Sequence, residues 1–212
     1  MPLIDSLIKD GWLKTPRIIE AFRRIKRIDF VSDDMKSLAE LDEALPIGMG
    51  QTISQPLVVA FMLEQLQPEP GDKILDIGSG SGWTSVLLGE IVGPEGKVIA
   101  METIPELKDF GEKNAAKYKL GQVQFICADG SEGYEKEAPY DKILCSAAVQ
   151  PASAEASAGK KEIPKAWEKQ LKINGKIVTP IGSSIWLLIK ENENDFEETE
   201  YPGFAFVPLI EK

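Results

Sequence analysis

A glycine-rich turn is the first feature of this 212-residue sequence that could bind a ligand. Residues 75–82 read Leu-Asp-Ile-Gly-Ser-Gly-Ser-Gly, at a point where an apolar run passes into a helical pattern. Glycines at every second position let a ligand approach bare backbone beside the N-terminus of a helix. The sequence therefore predicts a nucleotide-type site at this turn, formed by Asp76, Gly78, Ser79 and Gly80.

The spacing of the glycines narrows the kind of ligand. The dinucleotide fingerprint has its third glycine three positions after the second, and Trp83 occupies that position here. NAD is therefore a poor fit. The alternative without a ligand is a tight turn that only joins a strand to a helix.

Two acidic positions follow later apolar runs. Glu102 lies 20 positions after Gly82, at the offset where an acid binds the hydroxyls of a ribose. Asp129 and Gly130 follow a third run, and the carboxyl ends of parallel strands share one edge of a sheet. Taken alone, a strand-end Glu is more often solvated and an Asp-Gly pair is an ordinary turn, so Glu102 gains support only from its spacing to the glycine-rich turn.

The composition excludes several kinds of chemistry. The chain has 24 Lys and Arg against 34 Asp and Glu, a net charge of −10, and no histidine. A broad phosphate-binding face needs clustered cations, so nucleic acid is not an expected partner. The absence of histidine removes Ser-His-Asp and Cys-His nucleophiles and the most common zinc ligand, so no metal is expected.

The distribution of cysteine and charge predicts a cytoplasmic protein. Cys127 and Cys145 lie in apolar runs and are expected to be buried free thiols. Asp5, Lys9 and Asp10 interrupt the apolar residues at the N-terminus, unlike a signal peptide. Because no uncharged apolar run approaches ~18 residues, no membrane span is expected.

The second half of the sequence alternates strand and helix patterns. Helices are predicted at 84–92, 105–118 and 164–171, and strands at 73–77, 97–102, 123–127, 142–147, 176–180, 185–189 and 204–209. This alternation predicts an α/β fold, a doubly wound and mostly parallel seven-stranded sheet. The acidic stretch 191–200 is expected to join the last two strands into a C-terminal antiparallel hairpin.

The N-terminal region is predicted to form short helices followed by a loop. Residues 3–8 and 16–25 have helical spacing, 33–54 read as loop, and Pro56 begins a further helix to about Gln67. Six basic residues cluster here: Lys14, Arg17, Arg23, Arg24, Lys26 and Arg27. They form either a solvated helix face, the more common case, or a surface for an acidic partner.

Residues 45–56, Leu-Pro-Ile-Gly-Met-Gly-Gln-Thr-Ile-Ser-Gln-Pro, closely resemble the loop that marks protein-L-isoaspartate O-methyltransferases. The acid-x-Gly-x-Gly-x-Gly turn also resembles motif I of class I methyltransferases. Further resemblance runs in order through 104–107, 129–130, 138–141, 147–148, 163–164, 170–172, 180–182 and 206–209. It implies one Rossmann-like methyltransferase domain over 1–212, with N-terminal helices and active-site loop at 1–55, a cofactor-binding core at 56–182 and a C-terminal hairpin at 183–212.

The resemblance also implies ligands and roles. The cofactor would be S-adenosylmethionine, and the acceptor the α-carboxylate of L-isoaspartyl residues in damaged proteins. Ser54 would take the family's catalytic serine role, with Thr52 and Ile53 lining the methyl-transfer pocket and Asp129 contacting the adenine. Because a carboxylate with a pKa near ~4 is already ionised at neutral pH, this reaction needs no histidine. By its position alone, Ser54 could instead cap the helix that begins at Pro56.

Two features leave the acceptor open. The family often has an aromatic residue where this chain has Glu40, and residues 151–159 form an Ala/Ser-rich insertion. We expect this insertion to be a flap over the acceptor side, with a surface insertion of no function as the alternative. The alternative functions are a methyltransferase of the same fold with another acceptor, and a non-catalytic cofactor-binding or interaction module.

Overall fold

The structure is a computed structural model that describes residues 2–149 and 163–210. The predicted flap at 151–159 lies outside the described residues. Among the residues that are described, no helix is long and apolar enough to cross a membrane.

Six α-helices are present in the described ranges. They are α1 (Leu3–Lys9), α2 (Pro16–Arg24), α3 (Pro56–Leu66), α4 (Trp83–Val92), α5 (Pro105–Ala115) and α6 (Lys165–Gln170). A proline occupies the first turn of α2, α3 and α5, where its missing N–H has no cost and its fixed φ favours the helix. The predicted N-terminal helices and the helix beginning at Pro56 are confirmed.

Nine strands are described. They are β1 (Leu45–Gly48), β2 (Gln51–Ile53), β3 (Lys73–Ile77), β4 (Lys97–Glu102), β5 (Val123–Cys127), β6 (Tyr140–Cys145), β7 (Leu171–Ile181), β8 (Ser184–Lys190) and β9 (Phe196–Pro202). Strands β3 to β9 form a seven-stranded sheet in the order β5-β4-β3-β6-β7-β8-β9. The first five of these are parallel, whereas β8 and β9 are antiparallel to their neighbours. The predicted α/β fold and its mostly parallel sheet are confirmed.

The sheet is buried on both faces. Ile74 belongs to the apolar cluster beneath the N-terminal helices, α3 and α4, while its neighbour Leu75 belongs to the cluster around Trp167 of α6. Alternate side chains of a strand point to opposite faces, so an apolar residue at every position is needed where both faces are covered. This explains why the parallel strands read as continuous apolar runs.

The strand order creates a crevice at one edge of the sheet. Strand β3 pairs with β4 on one side and with β6 on the other, because the chain runs from β3 outward through β4 to β5 and then crosses back to β6. In open α/β sheets, ligands bind beyond the carboxyl ends of the strands at such a point. The glycine-rich turn follows β3 directly and therefore lies in this crevice.

The prediction for the last strand is wrong. Strand β9 is Phe196–Pro202, which overlaps the acidic stretch 191–200 that was expected to be a connection, and residues 204–209 form only an isolated bridge between Ala148 and Pro208. An edge strand has one neighbour and tolerates exposed glutamates, which also discourage further pairing. Phe204 instead stacks on Phe61 of α3, with ring centroids 5.2 Å apart.

Two further expectations need correction. The segment 33–54 contains a 3₁₀ helix at Asp33–Leu38 and the β1–β2 hairpin, whose tip has positive φ at Gly48, Met49 and Gly50. Cys145 is buried as expected, but Cys127 is exposed because it ends the edge strand β5. The division of the chain at residues 55 and 182 stays a prediction.

Candidate active site

The glycine-rich turn is held in a shape that side chains would obstruct. Gly82 has φ +85°, and a Cβ there would lie 2.8 Å from the carbonyl oxygen of Gly111 in α5. In the same way, a Cβ on Gly111 would lie 2.8 Å from the carbonyl oxygen of Gly80. The turn therefore packs backbone to backbone on α5, which fixes the first turn of α4.

Glu102 joins the end of β4 to this turn. Its Oε2 accepts a hydrogen bond from the Gly80 N–H at 2.9 Å, and its Oε1 accepts from the Thr103 and Ile104 N–H groups at 2.9 and 3.1 Å. The residue is only 7% exposed, yet it lines the cleft beside the turn. Glu102 therefore lies beside the glycine-rich turn, as its spacing from the glycines predicts.

Asp76 lies beneath the turn and not in the wall of the cleft. It is 0% exposed, and its Oδ2 accepts a hydrogen bond from the Ser85 hydroxyl at 2.5 Å. Burial raises the pKa of Asp76 to about 7. The hydrogen bond from Ser85 acts against this rise, and the negative charge of Glu102 adds to it. Asp76 thus joins the end of β3 to the first turns of α4.

Asp129 and Gly130 lie at the same edge of the sheet, after β5. The Asp129 carboxylate caps a 3₁₀ helix by accepting from the backbone N–H of Ser131 at 2.9 Å. Gly130 lines the cleft, and a Cβ on it would lie 2.4 Å from Cγ2 of Ile77. Only glycine fits here, which lets this segment approach the end of β3.

These segments enclose a cleft of about 740 Å³, its open mouth included. The walls come from six stretches of the chain: the hairpin and loop (Ile47, Gln51–Ser54), the turn region (Ile77–Ser81, Trp83, Thr84), 101–104, Ala128 with Gly130, Ser146 with Ala147, and 207–210. Predicted site residues Thr52, Ile53, Ser54, Gly78, Ser79 and Gly80 are all among them.

The β1–β2 hairpin covers the glycine-rich turn. Cδ1 of Ile47 lies 3.3 Å from the position that a Cβ on Gly80 would occupy. The hairpin thereby brings residues 52–54 to the carboxyl edge of the sheet, although they are more than twenty positions upstream of the turn.

A second groove adjoins the cleft. It is lined by Ala44, Thr52, Ser54, Gln55, Val58, Ser146, Ala205, Phe206 and Val207. Four residues line both cavities, and three of them carry hydroxyl groups: Thr52, Ser54 and Ser146. Sequence reasoning missed Ser146, although its position directly after β6, at the carboxyl edge, is a signal that could have found it.

The interpretation of Ser54 as a helix cap is wrong. Gln55 is the N-cap residue of α3, and the Leu57 N–H bonds instead to Oδ1 of Asp42 at 2.8 Å. Ser54 is half-buried on the boundary between the two cavities.

Two buried polar atoms at the turn fit a ligand such as S-adenosylmethionine. The Ser79 hydroxyl and the Trp83 Nε1 have no hydrogen-bond partner among the described residues, and both side chains line the cleft. Buried polar groups are normally hydrogen-bonded, so a polar ligand atom would complete this site. The Glu102 carboxylate, which the Gly80 N–H holds in place, adds an acceptor beside them.

The fold and the cleft together define a class of protein. A mostly parallel seven-stranded sheet, a glycine-rich turn after its first strand and an acid at the end of the next strand are the architecture of class I methyltransferases.

Comparison with known proteins identifies the family. The family model for protein-L-isoaspartate(D-aspartate) O-methyltransferase matches residues 1–212. A protein-L-isoaspartate O-methyltransferase from Methanopyrus kandleri is 39% identical over 213 residues, which is 98% of this chain and 89% of that protein. The enzyme of this name from Pyrococcus horikoshii is also 39% identical, over 98% of this chain and 90% of its own length. This chain belongs to the protein-L-isoaspartate(D-aspartate) O-methyltransferase family.

A solved structure supports the fold. A chain from Plasmodium falciparum, described as a putative protein-L-isoaspartate O-methyltransferase in complex with S-adenosyl-L-homocysteine, superposes with a TM-score of 0.83. The match covers 99% of this chain and 97% of that one at 21% sequence identity.

Proposed function

We propose that this protein transfers a methyl group from S-adenosylmethionine to the α-carboxylate of L-isoaspartyl residues in damaged proteins, as the first step of their repair. Family membership supports the reaction, and one observation carries the choice of acceptor. Among the described residues that line the cleft and the groove, Glu102 is the only one with an ionisable side chain.

That observation favours an acceptor that arrives already deprotonated. The Glu102 carboxylate is engaged by three backbone N–H groups, so it is poorly placed to accept a proton at the boundary between the cavities. An amine or hydroxyl acceptor would need a general base there. A carboxylate, with an ordinary pKa near ~4, is ionised at neutral pH and needs none.

The residues of the cleft are assigned as follows. Glu102 binds the ribose hydroxyls, and the turn Gly78-Ser79-Gly80 binds the amino-acid end of the cofactor. Gly130, which lines the cleft, lies at the adenine together with its neighbour Asp129, which is not a lining residue. Asp76 supports the turn. When bound, S-adenosylmethionine supplies an electrophilic methyl group on a sulfonium.

The residues of the boundary orient the acceptor. The hydroxyl groups of Ser54 and Ser146 can donate hydrogen bonds to a carboxylate, and Thr52 and Ile53 close the wall beside them. The groove contributes small and apolar side chains such as Ala44, Val58 and Ala205, which would cover a bound acceptor. Orientation and partial desolvation of a charged nucleophile are the contributions this chemistry requires, together of order 7–11 kcal/mol at best.

The same reasoning extends to partners and location. A net charge of −10 disfavours nucleic acid as a partner, whereas the proposed reaction makes isoaspartyl proteins and peptides the acceptors. Cys127 and Cys145 are both free cysteines, which is compatible with a reducing compartment, and we assign the protein to the cytoplasm on this basis.

The test is methyl transfer to a pair of synthetic peptides. An isoaspartyl peptide and its aspartyl twin have the same composition and charge, and differ only in which carbon carries the peptide bond. We expect labelled methyl groups from S-adenosylmethionine to enter the isoaspartyl peptide alone, as a base-labile ester.

Two outcomes would contradict the proposal. Transfer to neither peptide, with S-adenosylhomocysteine still raising the melting temperature, would leave another acceptor or a non-catalytic binding role. Equal transfer to both peptides would show that the groove does not select the isoaspartyl linkage.

A further inference from the structure

Arg27 is buried, although it belongs to the basic run that the sequence favours as a solvated helix face. Its side chain and backbone together are only 4% exposed. Its neighbours in the run behave as expected of surface residues, since Arg24 pairs with Glu90 and Arg23 lies 3.9 Å from Asp5. Arg27 therefore has a different role from the rest of the cluster.

The guanidinium of Arg27 donates to four backbone carbonyl groups. Nη1 donates to the carbonyl oxygens of Ala39 and Leu41 at 3.1 and 3.2 Å. Nη2 donates to those of Glu43 and Ser54 at 2.7 and 3.1 Å. One side chain thus joins the segment 39–43 to the residue at the boundary of the two cavities.

The same guanidinium also contacts the wall of the cleft. Cζ of Arg27 lies over the ring of Trp83, 5.5 Å from its centroid, in a cation–π contact. Trp83 is the first residue of α4 and lines the cleft beside the glycine-rich turn. Arg27 therefore connects the cofactor side of the site to the acceptor side.

Arg27 carries its charge at neutral pH. Burial lowers the pKa of Arg27 to about 10, and the charges of Asp42 and Glu40 act in the opposite direction. A buried cation requires hydrogen-bond acceptors, and here carbonyl oxygens supply them. The position of these carbonyl groups is consequently tied to the guanidinium.

We propose that Arg27 is the positioning residue of the acceptor side: it sets the orientation of the Ser54–Gln55 peptide, and through it the groups that hold the acceptor carboxylate. In a trans peptide, the carbonyl and the following N–H point in opposite directions. By holding the Ser54 carbonyl toward the interior, Arg27 turns the Gln55 N–H to the other side, where Ser54 and Gln55 line the groove. The inference rests on the proposed function of this groove.

Lys190 provides a matched control. It is also a buried cation, 2% exposed, and its Nζ donates to the carbonyl oxygens of Glu168 and Leu171 at 2.8 and 3.1 Å. Leu171 begins β7, so this cation lies at the opposite edge of the sheet from the cleft. Nζ of Lys190 also donates to Oε2 of Glu193 at 3.3 Å. Loss of this buried cation should therefore lower stability without changing acceptor kinetics.

The experiment compares Arg27→Lys, Arg27→Gln and Lys190→Met with the wild type. An ammonium group keeps the charge but cannot bond to four separated carbonyl groups, and a glutamine amide keeps two donors without the charge. The measurements are kcat and KM for an isoaspartyl peptide, the Kd of S-adenosylhomocysteine, the melting temperature, and amide hydrogen exchange over residues 39–55.

For both Arg27 variants we expect kcat to fall about tenfold or more, with the Kd of S-adenosylhomocysteine changed less than about threefold and faster exchange over residues 39–55. Lys190→Met should lose melting temperature while kcat and KM per folded molecule stay at the wild-type values. Wild-type kcat and unchanged exchange in the Arg27 variants would overturn the proposal for Arg27 alone. Inactivity of the wild type toward the isoaspartyl peptide would instead overturn the proposed function.

Discussion

The Oε2 atom of Glu102 accepts a hydrogen bond from the Gly80 N–H at 2.9 Å, which joins the acid at the end of β4 to the middle of the glycine-rich turn. Its Oε1 is fixed by the Thr103 and Ile104 N–H groups that follow. The carboxylate is thus oriented before any ligand is present, so it loses little conformational freedom when it accepts further hydrogen bonds.

We predict that Glu102→Gln weakens binding of S-adenosylhomocysteine by about 10- to 100-fold, equivalent to about 1.4–2.8 kcal/mol. The glutamine amide can accept hydrogen bonds only at its oxygen. Its NH₂ group must therefore face either the Gly80 N–H or the Thr103 and Ile104 N–H groups, which are also donors. Isothermal titration calorimetry measures the effect. Glu106→Gln, at an exposed position in the first turn of α5, is the control and should bind like the wild type.

A second prediction concerns the helix that supports the turn. Replacing glycine by alanine inside a helix normally stabilises it by about 0.5–1 kcal/mol. Gly111→Ala should have the opposite sign and lower the free energy of unfolding by about 1–3 kcal/mol, because the new Cβ meets the Gly80 carbonyl oxygen at 2.8 Å. The same variant should weaken cofactor binding, since the turn must move.

Urea unfolding and calorimetry test this prediction together. The control is Gly121→Ala, where a Cβ has no neighbour within 4 Å. Stabilisation by Gly111→Ala would mean that α5 can shift without disturbing the turn.

The sequence predicted the parallel strands of the fold because its signals there are redundant. Continuous apolar strands, a glycine-rich turn and proline at the start of a helix all indicate the same structure around β3 and α3. The signals conflict at the C-terminus, where the apolar residues 204–209 read as a strand and the acidic residues 191–200 as a connection. Packing of Phe204 on Phe61 and the charge tolerance of an edge strand decided the outcome.

The site was predictable where it is local in sequence and not where it depends on tertiary contacts. Gly78, Gly80 and Glu102 follow from spacing along consecutive strands. Ser146 and Arg27 do not, because one is an ordinary strand-end serine and the other looks like one of several surface arginines. Their roles depend on contacts with residues more than twenty positions away, which no short-range pattern contains.

A third prediction separates the proposed role of Ser54 from any role in stability. Because Gln55 is the N-cap of α3, Ser54→Ala should change the free energy of unfolding by less than about 0.5 kcal/mol. Its kcat for an isoaspartyl peptide should fall about 10- to 100-fold, as expected for a lost hydrogen bond to a charged group. Ser146→Ala should lower kcat in the same way.

The double variant shows whether the two hydroxyl groups act on one carboxylate. If they do, the loss in Ser54→Ala/Ser146→Ala should differ from the sum of the single losses. Strict additivity, or a loss confined to the Kd of S-adenosylhomocysteine, would assign one of the serines to the cofactor.

The last prediction follows from the burial of Asp76, whose pKa in the folded protein is raised to about 7 from an ordinary 3.8. The folded state binds this proton more tightly than the unfolded state, so the contribution of Asp76 to stability falls as the pH rises from about 4 to about 7. Below this window the carboxyl is neutral in both states, and above it the penalty of the buried charge is complete.

Asp76→Asn can still accept the Ser85 hydrogen bond but has no charge to bury. Its free energy of unfolding relative to the wild type should therefore increase across this window, by at most about 4 kcal/mol. Urea unfolding at several pH values measures the difference, with the exposed Asp34→Asn as control. A difference that stays constant with pH would show that Asp76 is ionised throughout, balanced by a neighbouring positive charge or by water.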